Sequence, residues 1–301
     1  MNKLMTGVSG VRGIFGETLN PEVALQYASH FGQFMAQEST NPPSSHNFKI
    51  VVGRDSRTTG KAMLYAIFSG LISTGCEVID LGIVPTPTVL LNVKKHSAQG
   101  GISITASHNP PQWNAMKFVD GDGMFLSPEK AFRFLDSIKE EIRWNNWQNI
   151  GTVTEDHEAI NYHIQRILNI PYLNIKKIRS NKFKIVLDSV NGAGGLASPL
   201  LLKALGCEVI EINSEPTGVF AHTPEPLNEN LHQLEEAVKF HNADLGFATD
   251  PDVDRLALVD ETGHCIGEEY SVALAELFVL PKKPGDIVVN LSSSMLSDYI
   301  A

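Results

Sequence analysis

FKIVVGRDSRTTGKAMLYAIFSGLISTGCEVI, residues 48–79, decides the fold. FKIVVG at 48–53 is an apolar run of strand length, and a polar turn with Arg54, Asp55, Ser56 and Arg57 follows it. A helical period then covers 58–74, and CEVIDLG at 76–82 returns to a strand pattern. Strand, helix and strand in succession imply a crossover and a mainly parallel sheet. The unit recurs at 183–210, where FKIVLDSVNGAGG runs into ASPLLLKAL and ends on the same pentapeptide, GCEVI, found at 75–79. A shared pentapeptide alone can be chance. Placed after two matching strand-turn-helix units, it argues for duplicated α/β domains.

Outward from this unit the same alternation continues. Residues 21–37 carry a helical period behind Asn20, an N-cap with proline at the first helical position. STNPPSSHN at 39–47 reads as a loop, 86–96 as a helix and GISIT at 101–105 as a strand. A third copy begins at DIVVNLSSSMLSDYIA, residues 286–301, with one strand and part of a helix, too little to enclose a core. The expected fold class is therefore α/β, with repeated domains built on mixed, mainly parallel sheets. Domain I spans 1–150, domain II 151–262, and 263–301 is the incomplete start of a third, so the chain reads as part of a longer protein. Trp144 and Trp147 are expected to pack at the domain junction in preference to stacking on a sugar.

Composition removes several classes of function. With 34 acidic against 24 basic residues and no Lys/Arg run longer than a pair, the chain lacks the basic footprint of a nucleic-acid binder. A phosphorylated small molecule remains compatible, because a few aimed cations can hold it in an acidic protein. No stretch approaches the 18 or so continuous apolar residues of a membrane span, and MNKLMTGVSGVRG has no signal-peptide core. Cys76, Cys207 and Cys265 are an odd set without metal-ligand spacing, which fits reduced thiols and a cytoplasmic location.

Three groups of residues bear chemistry. In ITASHNPPQWNAMKF, 104–118, a strand ends at Thr105, and Pro110 and Pro111 forbid its continuation. The turn should expose Ser107 at a strand's C-terminal end, where ligands gather in open α/β sheets. A polar turn whose Ser and Asn cap their own backbone explains the same residues equally well. In ADLGFATDPDVDRLALVD, 243–260, Asp250, Asp252 and Asp254 crowd three carboxylates that repel unless a cation sits among them. On a straight strand the first and third would stand about 13 Å apart, too far for ligands about 2.1 Å from one ion. The segment must curl, as Pro251 favours, or else be a solvated acidic turn. Oxygen ligands of this kind suit Mg²⁺, Mn²⁺ or Ca²⁺ over zinc. An EF-hand is excluded because Arg255 stands where glycine is needed and LALV reads as strand. A phosphatase of the aspartyl-nucleophile type is disfavoured by Asp254, which stands where Thr or Val is usual. The third group is cationic: Arg12 in SGVRGIFG, Arg54 and Arg57 in VGRDSR, and Lys117, with Gly10, Gly13 and Gly16 placed to let backbone approach an anion. Together with the serine and acidic loops they point to phosphoryl transfer.

TASHNP at 105–110 with DPDVDR at 250–255, in that order, resembles the signature pair of the α-D-phosphohexomutases. SGVRG near the N-terminus and DSVNGAGG at 188–195 extend the likeness over nearly the whole chain. The resemblance implies a protein of four domains, the first three sharing one α/β fold. It implies that Ser107 is a phosphoserine whose phosphate completes a Mg²⁺ shell of Asp250, Asp252 and Asp254. Arg255 would steady that phosphate, and Arg12 and Lys117 would orient the sugar and move protons. Arg54 joins Arg12, Lys117 and Arg255 as a candidate phosphate-binding residue. His108 is a candidate general base, although packing within its loop explains it better. The implied reaction interconverts hexose 6-phosphate and hexose 1-phosphate through a hexose 1,6-bisphosphate, in a monomer or homodimer with neither nucleic-acid nor membrane partners.

Ala115 departs from the glycine common at its place in the family, and DPDVDR departs from DGDGDR while keeping every ligand. The family's sugar loop and distal phosphate loop belong to later segments than this chain contains. DPDVDR followed by IGEEYS at 266–271 is most similar to bacterial phosphoglucosamine mutases, with phosphomannomutase/phosphoglucomutase as the alternative. A metal-dependent phosphatase and a non-catalytic fragment that binds sugar phosphate remain the readings from other classes.

Overall fold

A computed structural model describes residues 3–38, 48–267, 269–289 and 295–300. The strands are β1 (Met5–Gly7), β2 (Gly10–Ile14), β3 (Lys49–Arg54), β4 (Glu77–Ile83), β5 (Gly100–Ile104), β6 (Trp113–Asp120), β7 (Val153–Glu155), β8 (Lys184–Asp188), β9 (Glu208–Ile212), β10 (Leu245–Thr249) and β11 (Leu256–Val259). The helices are α1 (Pro21–Glu38), α2 (Gly60–Ser73), α3 (Thr86–Lys95), α4 (Pro128–Ser137), α5 (Ala159–Leu168), α6 (Ile175–Asn181), α7 (Gly194–Ala204), α8 (His232–His241), α9 (Glu269–Val279) and α10 (Leu296–Ile300). Two sheets result, one ordered β1-β2-β6-β5-β3-β4-β7 and the other β11-β10-β8-β9. Among the described residues five of the nine strand pairings are parallel, so the sheets are mixed with a parallel majority.

The internal repeat is reproduced down to register. Lys49 pairs with Glu77 and Ile50 with Val78 in the first sheet, while Lys184 pairs with Glu208 and Ile185 with Val209 in the second. The glutamate amide after each Gly-Cys donates to the carbonyl of Phe48 or Phe183, at 2.7 and 2.8 Å. On the other side of the first strand the copies match again, with β3 parallel to β5 and β8 parallel to β10. Each of these neighbours turns back into an antiparallel strand, β6 or β11. The serine loop and the acidic loop are thus the same loop of two copies of one unit. Both leave the C-terminal edge of a parallel strand, where open α/β sheets gather ligands.

Apolar periodicity explains the cover of the first sheet. α1 starts at Pro21 behind Asn20, whose Oδ1 accepts from the Val23 amide at 2.9 Å. It buries Ala24, Ala28, Phe31 and Met35, and Phe31 meets Phe118 and Phe134 with ring centroids 4.9 and 5.5 Å apart. On the opposite face Val89 and Val93 of α3 and Ala159 of α5 cover Val51 and Ile79. In the second sheet Leu234 and Val238 of α8 pack on Val186, Ala248, Ala257 and Val259.

Some expectations change. The loop expected at 39–47 lies outside the described residues. Among the described residues 286–289 form no strand, while α10 falls in the stretch expected to be helical. A strand is held by pairing, and 286–289 has no partner strand among the described residues. Trp144 and Trp147 do not pack at a junction: they are 53% and 84% exposed, on a stretch that runs along the end of α2 through Asn145 N to Ser73 O and Gly151 N to Ile72 O. Among the described residues no helix is long and apolar enough to cross a membrane.

Candidate active site

Ser107 follows β5 at the expected strand end, but it is buried instead of exposed, with 4% of its surface accessible. The reason is tertiary, because the acidic loop of the second unit lies directly over it. Its backbone is left-handed, φ 49°, an arrangement a residue with a Cβ adopts only where surrounding bonds enforce it. Those bonds start at Arg57, fully buried, which donates to the carbonyls of Ser107, Asn109, Pro110 and Trp113 and pairs with Asp55 at 3.0 Å. Asp55 also accepts from Thr105 Oγ1 at 2.7 Å, and Thr105 in turn accepts from the Ser107 amide at 2.9 Å. Burial raises the Asp55 carboxyl above its ordinary value, against the pull of Arg57 and Thr105.

The acidic loop curls as its carboxylate spacing demanded. Val253 takes φ 60°, and Asp250 Oδ1 accepts from the amides of Asp254 and Arg255 at 3.0 and 3.2 Å, closing the turn on itself. One ligand atom from each of Asp250, Asp252 and Asp254 then lies within 4.8 Å of the others, a spacing one cation can bridge. Asp250 and Asp252 are buried while Asp254 is exposed, which leaves the cluster an open side. Ser107 Oγ donates to Asp250 Oδ2 at 2.6 Å and lies 3.5 Å from Asp254 Oδ1. Burial, then the charges of Asp252 and Asp254, push the Asp250 carboxyl well above the ordinary range. Burial opposes ionisation of Asp252 too, but Lys117 and the hydrogen bonds from Lys117 and Thr86 hold it below that range. Asp252 Oδ1 is buried without a hydrogen-bond partner. A crowded, all-oxygen donor set with a raised carboxyl and an unpartnered buried oxygen fits a hard divalent cation.

The cations are sorted by distance. Lys117 on β6 donates from Nζ to Asp252 Oδ2 and Asp254 Oδ2 at 2.8 and 2.9 Å. Burial works against its charge, but the two carboxylates outweigh it and raise its pKa, so Nζ keeps its proton. Arg12 on β2 bonds Asn109 Oδ1 at 2.7 Å within the field of Asp252 and Asp254, and burial lowers its pKa. Arg255 reaches Glu225 Oε1 at 3.1 Å, and His108 Nε2 approaches the same oxygen at 3.7 Å. Burial, then the Arg255 charge, lowers the His108 pKa, and its Nδ1 stands 3.4 Å from Ser107 Oγ. Arg54 is turned elsewhere and donates to the Asp55 carbonyl at 3.0 Å, so Arg57, not Arg54, touches the serine loop.

Gly10 and Gly13 also serve packing instead of an anion. A Cβ on Gly10 would meet Met116 O of the paired strand β6 at 2.1 Å, and one on Gly13 would meet Thr18 Oγ1 of the following turn at 2.5 Å, so strand pairing and the turn have taken the space. Sequence reading missed Glu225 and Thr86 altogether, and took Asn109 only as a capping residue of its own turn. Glu225 and Thr86 are ordinary polar residues, in a loop and at a helix start, marked only by partners remote in sequence.

DSVNGAGG holds the second unit against the first. Ser56 Oγ donates to Asn191 O at 2.7 Å, Gly218 at φ 71° sits where a Cβ would meet Ser56 O at 2.1 Å, and Phe220 lies 5.0 Å beneath the Arg57 guanidinium. Asp188, buried at the end of β8, meets His222 Nε2 at 3.1 Å. Burial lowers the affinity of His222 for a proton, but Asp188 overcomes it and raises the pKa above the ordinary 6.5. The folded state therefore binds this proton more tightly than the unfolded state. The associated stability is complete below 6.5 and is lost as pH rises through the raised value. Thermal unfolding across that window should show the slope in the native protein and a flatter one in His222→Gln; equal slopes would contradict the pairing.

Residues 3–143 match the family model described as phosphoglucomutase/phosphomannomutase, alpha/beta/alpha domain I, and residues 161–263 match that of domain II. The chain belongs to the phosphoglucomutase/phosphomannomutase family. A "Probable phosphoglucosamine mutase" of Methanopyrus kandleri is 38% identical over 98% of this chain and 62% of its own length. A "Phosphoglucomutase/phosphomannomutase" of Thermococcus kodakarensis is 39% identical over 100% of the chain and 65% of its own length. The crystal structure of a phosphoglucomutase/phosphomannomutase family protein from Burkholderia thailandensis superposes with a TM-score of 0.74 at 29% identity, covering 93% of this chain and 61% of that one. The chain thus spans less than two thirds of the length of these members of the family. Their match runs through both sheets, so the α/β architecture and the phosphohexomutase resemblance read from TASHNP and DPDVDR hold.

Proposed function

We propose that the chain carries the phosphoryl-transfer half of a phosphohexomutase that interconverts hexose 6-phosphate and hexose 1-phosphate. Glucosamine phosphate is the favoured substrate, in keeping with the name of the Methanopyrus relative. Domain I, read as 1–150 and joined by β7 and α5, which pair with and cover its sheet, supplies the phosphoserine loop. Domain II, the remainder to 262, supplies the acidic loop, and 263 onward opens a third unit. The observation that carries the reading is Ser107 Oγ at 2.6 Å from Asp250, with Lys117 at 2.8 Å from Asp252, because a group-carrying hydroxyl, carboxylates and a cation converge from separate units.

Asp250, Asp252, Asp254 and Ser107 would hold Mg²⁺, which when bound supplies positive charge against the oxygens of a transferring phosphoryl group. Ser107 Oγ is the atom that gives a phosphoryl group to one sugar position and takes one back from the other. Protonated Lys117 holds a fixed positive charge beside Oγ and can return a proton to a leaving oxygen. Arg12 orients the sugar phosphate and Arg255 steadies the phosphoserine. The bisphosphate forms when the bond from phosphorus to Ser107 Oγ breaks in favour of the free sugar hydroxyl, whose proton passes to a base. The other phosphoryl then returns to Oγ, restoring the phosphoserine and releasing the isomeric monophosphate. Water must be kept from the phosphoserine, and the 4% exposure of Ser107 favours transfer to sugar over hydrolysis. The enzyme is expected in the cytoplasm, with hexose phosphates as its partners.

Incubation with glucose 1,6-bisphosphate and Mg²⁺, followed by peptide mapping, should place one phosphoryl group on Ser107. ³¹P NMR with glucosamine, mannose and glucose 6-phosphates then ranks the substrates. A phosphoryl group on another residue would remove Ser107 as the carrier, and inorganic phosphate released faster than sugar phosphate isomerises would replace the mutase with a phosphatase.

A further inference from the structure

We propose that Thr86, on the first unit, is a positioning residue that sets the Asp252 carboxylate of the second unit for its cation. The inference rests on the reading of Asp250, Asp252 and Asp254 as a divalent-cation site. Thr86 opens α3 and is buried, with 2% of its surface exposed. It grips Asp252 twice: its amide donates to the Asp252 carbonyl at 2.9 Å, and its hydroxyl donates to Oδ2 at 2.6 Å. A hydroxyl has one proton. With that proton on Asp252, Thr86 Oγ1 accepts from Ser103 Oγ at 2.9 Å. Ser103, Thr86 and Asp252 thus form a directed chain in which each bond polarises the next.

The choice of oxygen gives the chain its consequence. Lys117 also bonds Oδ2, at 2.8 Å, so both donors from the first unit converge on one atom. Oδ1 of the same buried carboxylate keeps no hydrogen-bond partner. Two donors on Oδ2 and a clamp on the main chain fix the plane of the carboxylate. They reserve Oδ1 as a ligand that need not be stripped of a protein donor before it meets a cation. Hydrogen-bonded partners of this kind around a ligand commonly hold about 10–100-fold of metal affinity. Lys117 contributes charge and competes with a cation, whereas neutral Thr86 orients the oxygen without repelling one.

The test is a Mg²⁺ titration, with Mn²⁺ as a second probe, of the native chain, Thr86→Val, Thr86→Ser and Ser103→Ala. Thr86→Val keeps the shape and the backbone amide but removes the hydroxyl, and affinity should fall about 10–100-fold. Thr86→Ser keeps the donor and should stay within about threefold of the native chain. Ser103→Ala leaves Thr86 in place, removes only the polarising bond and should cost a smaller factor, roughly two- to fivefold. If Thr86→Val does not fold, the latter two variants decide. Native affinity in Thr86→Val, an equal loss in Thr86→Ser and Thr86→Val, or a Ser103→Ala variant indistinguishable from native when Thr86→Val is unfolded, would overturn the proposal. An Asp250→Asn control separates the two levels, because no saturable binding in the native chain, or unchanged binding in the control, would instead remove the cation site.

Discussion

Ser107→Ala, in this chain extended to the full length of its relatives, is expected to isomerise hexose phosphate at least about 10⁴-fold more slowly than the native protein. Loss of an attacking side-chain oxygen has costs of that order in other group-transfer enzymes. The argument rests on position. Ser107 Oγ lies 2.6 Å from Asp250 and 3.5 Å from Asp254, and no other hydroxyl among the described residues is bonded to Asp250. The substitution removes one hydrogen bond from a site held by many others, so the melting temperature should move little. That separation of effects is the informative part. A coupled assay that found turnover within tenfold of native would take Ser107 out of the reaction, and a protein that lost activity by unfolding would betray itself in the melt.

The second large effect concerns stability. Arg57→Met should destabilise the first domain by about 3–5 kcal/mol, the usual cost of breaking a buried ion pair by removing one partner. For a unit of this size that is a fall in melting temperature of roughly 10 °C. Arg57 is fully buried, and its removal strands Asp55, whose carboxyl burial has already raised. It also strips donors from four carbonyls of the turn that carries Ser107 at φ 49°. Arg57→Lys should not rescue this loss, since one ammonium cannot reproduce the planar fork that reaches four carbonyls and a carboxylate at once. Differential scanning calorimetry of the three proteins checks both statements. A melting temperature for Arg57→Met within about 2 °C of native would show that the turn holds its shape without the guanidinium.

Local chemistry was legible where neighbours in sequence decide it. The strand at 48–53, the helix behind Asn20, the break at Pro110 and Pro111, and the curl forced on three close carboxylates all follow from sterics, capping and charge within a few residues. The helix expected at 58–74 and found at Gly60–Ser73 shows how far such reasoning reaches, ends included. It misjudged what depends on a second surface. Arg54 and Arg57 look alike in VGRDSR, yet only Arg57 lies beneath the serine turn. Gly10 and Gly13 looked like room for an anion until a paired strand filled the one and a turn at Thr18 the other. Thr86 offered no signal at all, because its partner lies 166 residues away.

The sequence by itself determined that one strand-turn-helix-strand unit occurs twice, and that the chain carries a hydroxyl loop and a triple-carboxylate loop; strand pairing showed these to be the same loop of the two copies. Strand period, turn residues and the repeated GCEVI are short-range properties, and the chain carries them wherever it goes. Only the tertiary structure decided that the two loops face each other, with Lys117 and Thr86 of one unit fastened to Asp252 of the other. Such contacts arise from packing between surfaces made by distant segments. Their partners share no period, spacing or composition that a linear reading could detect.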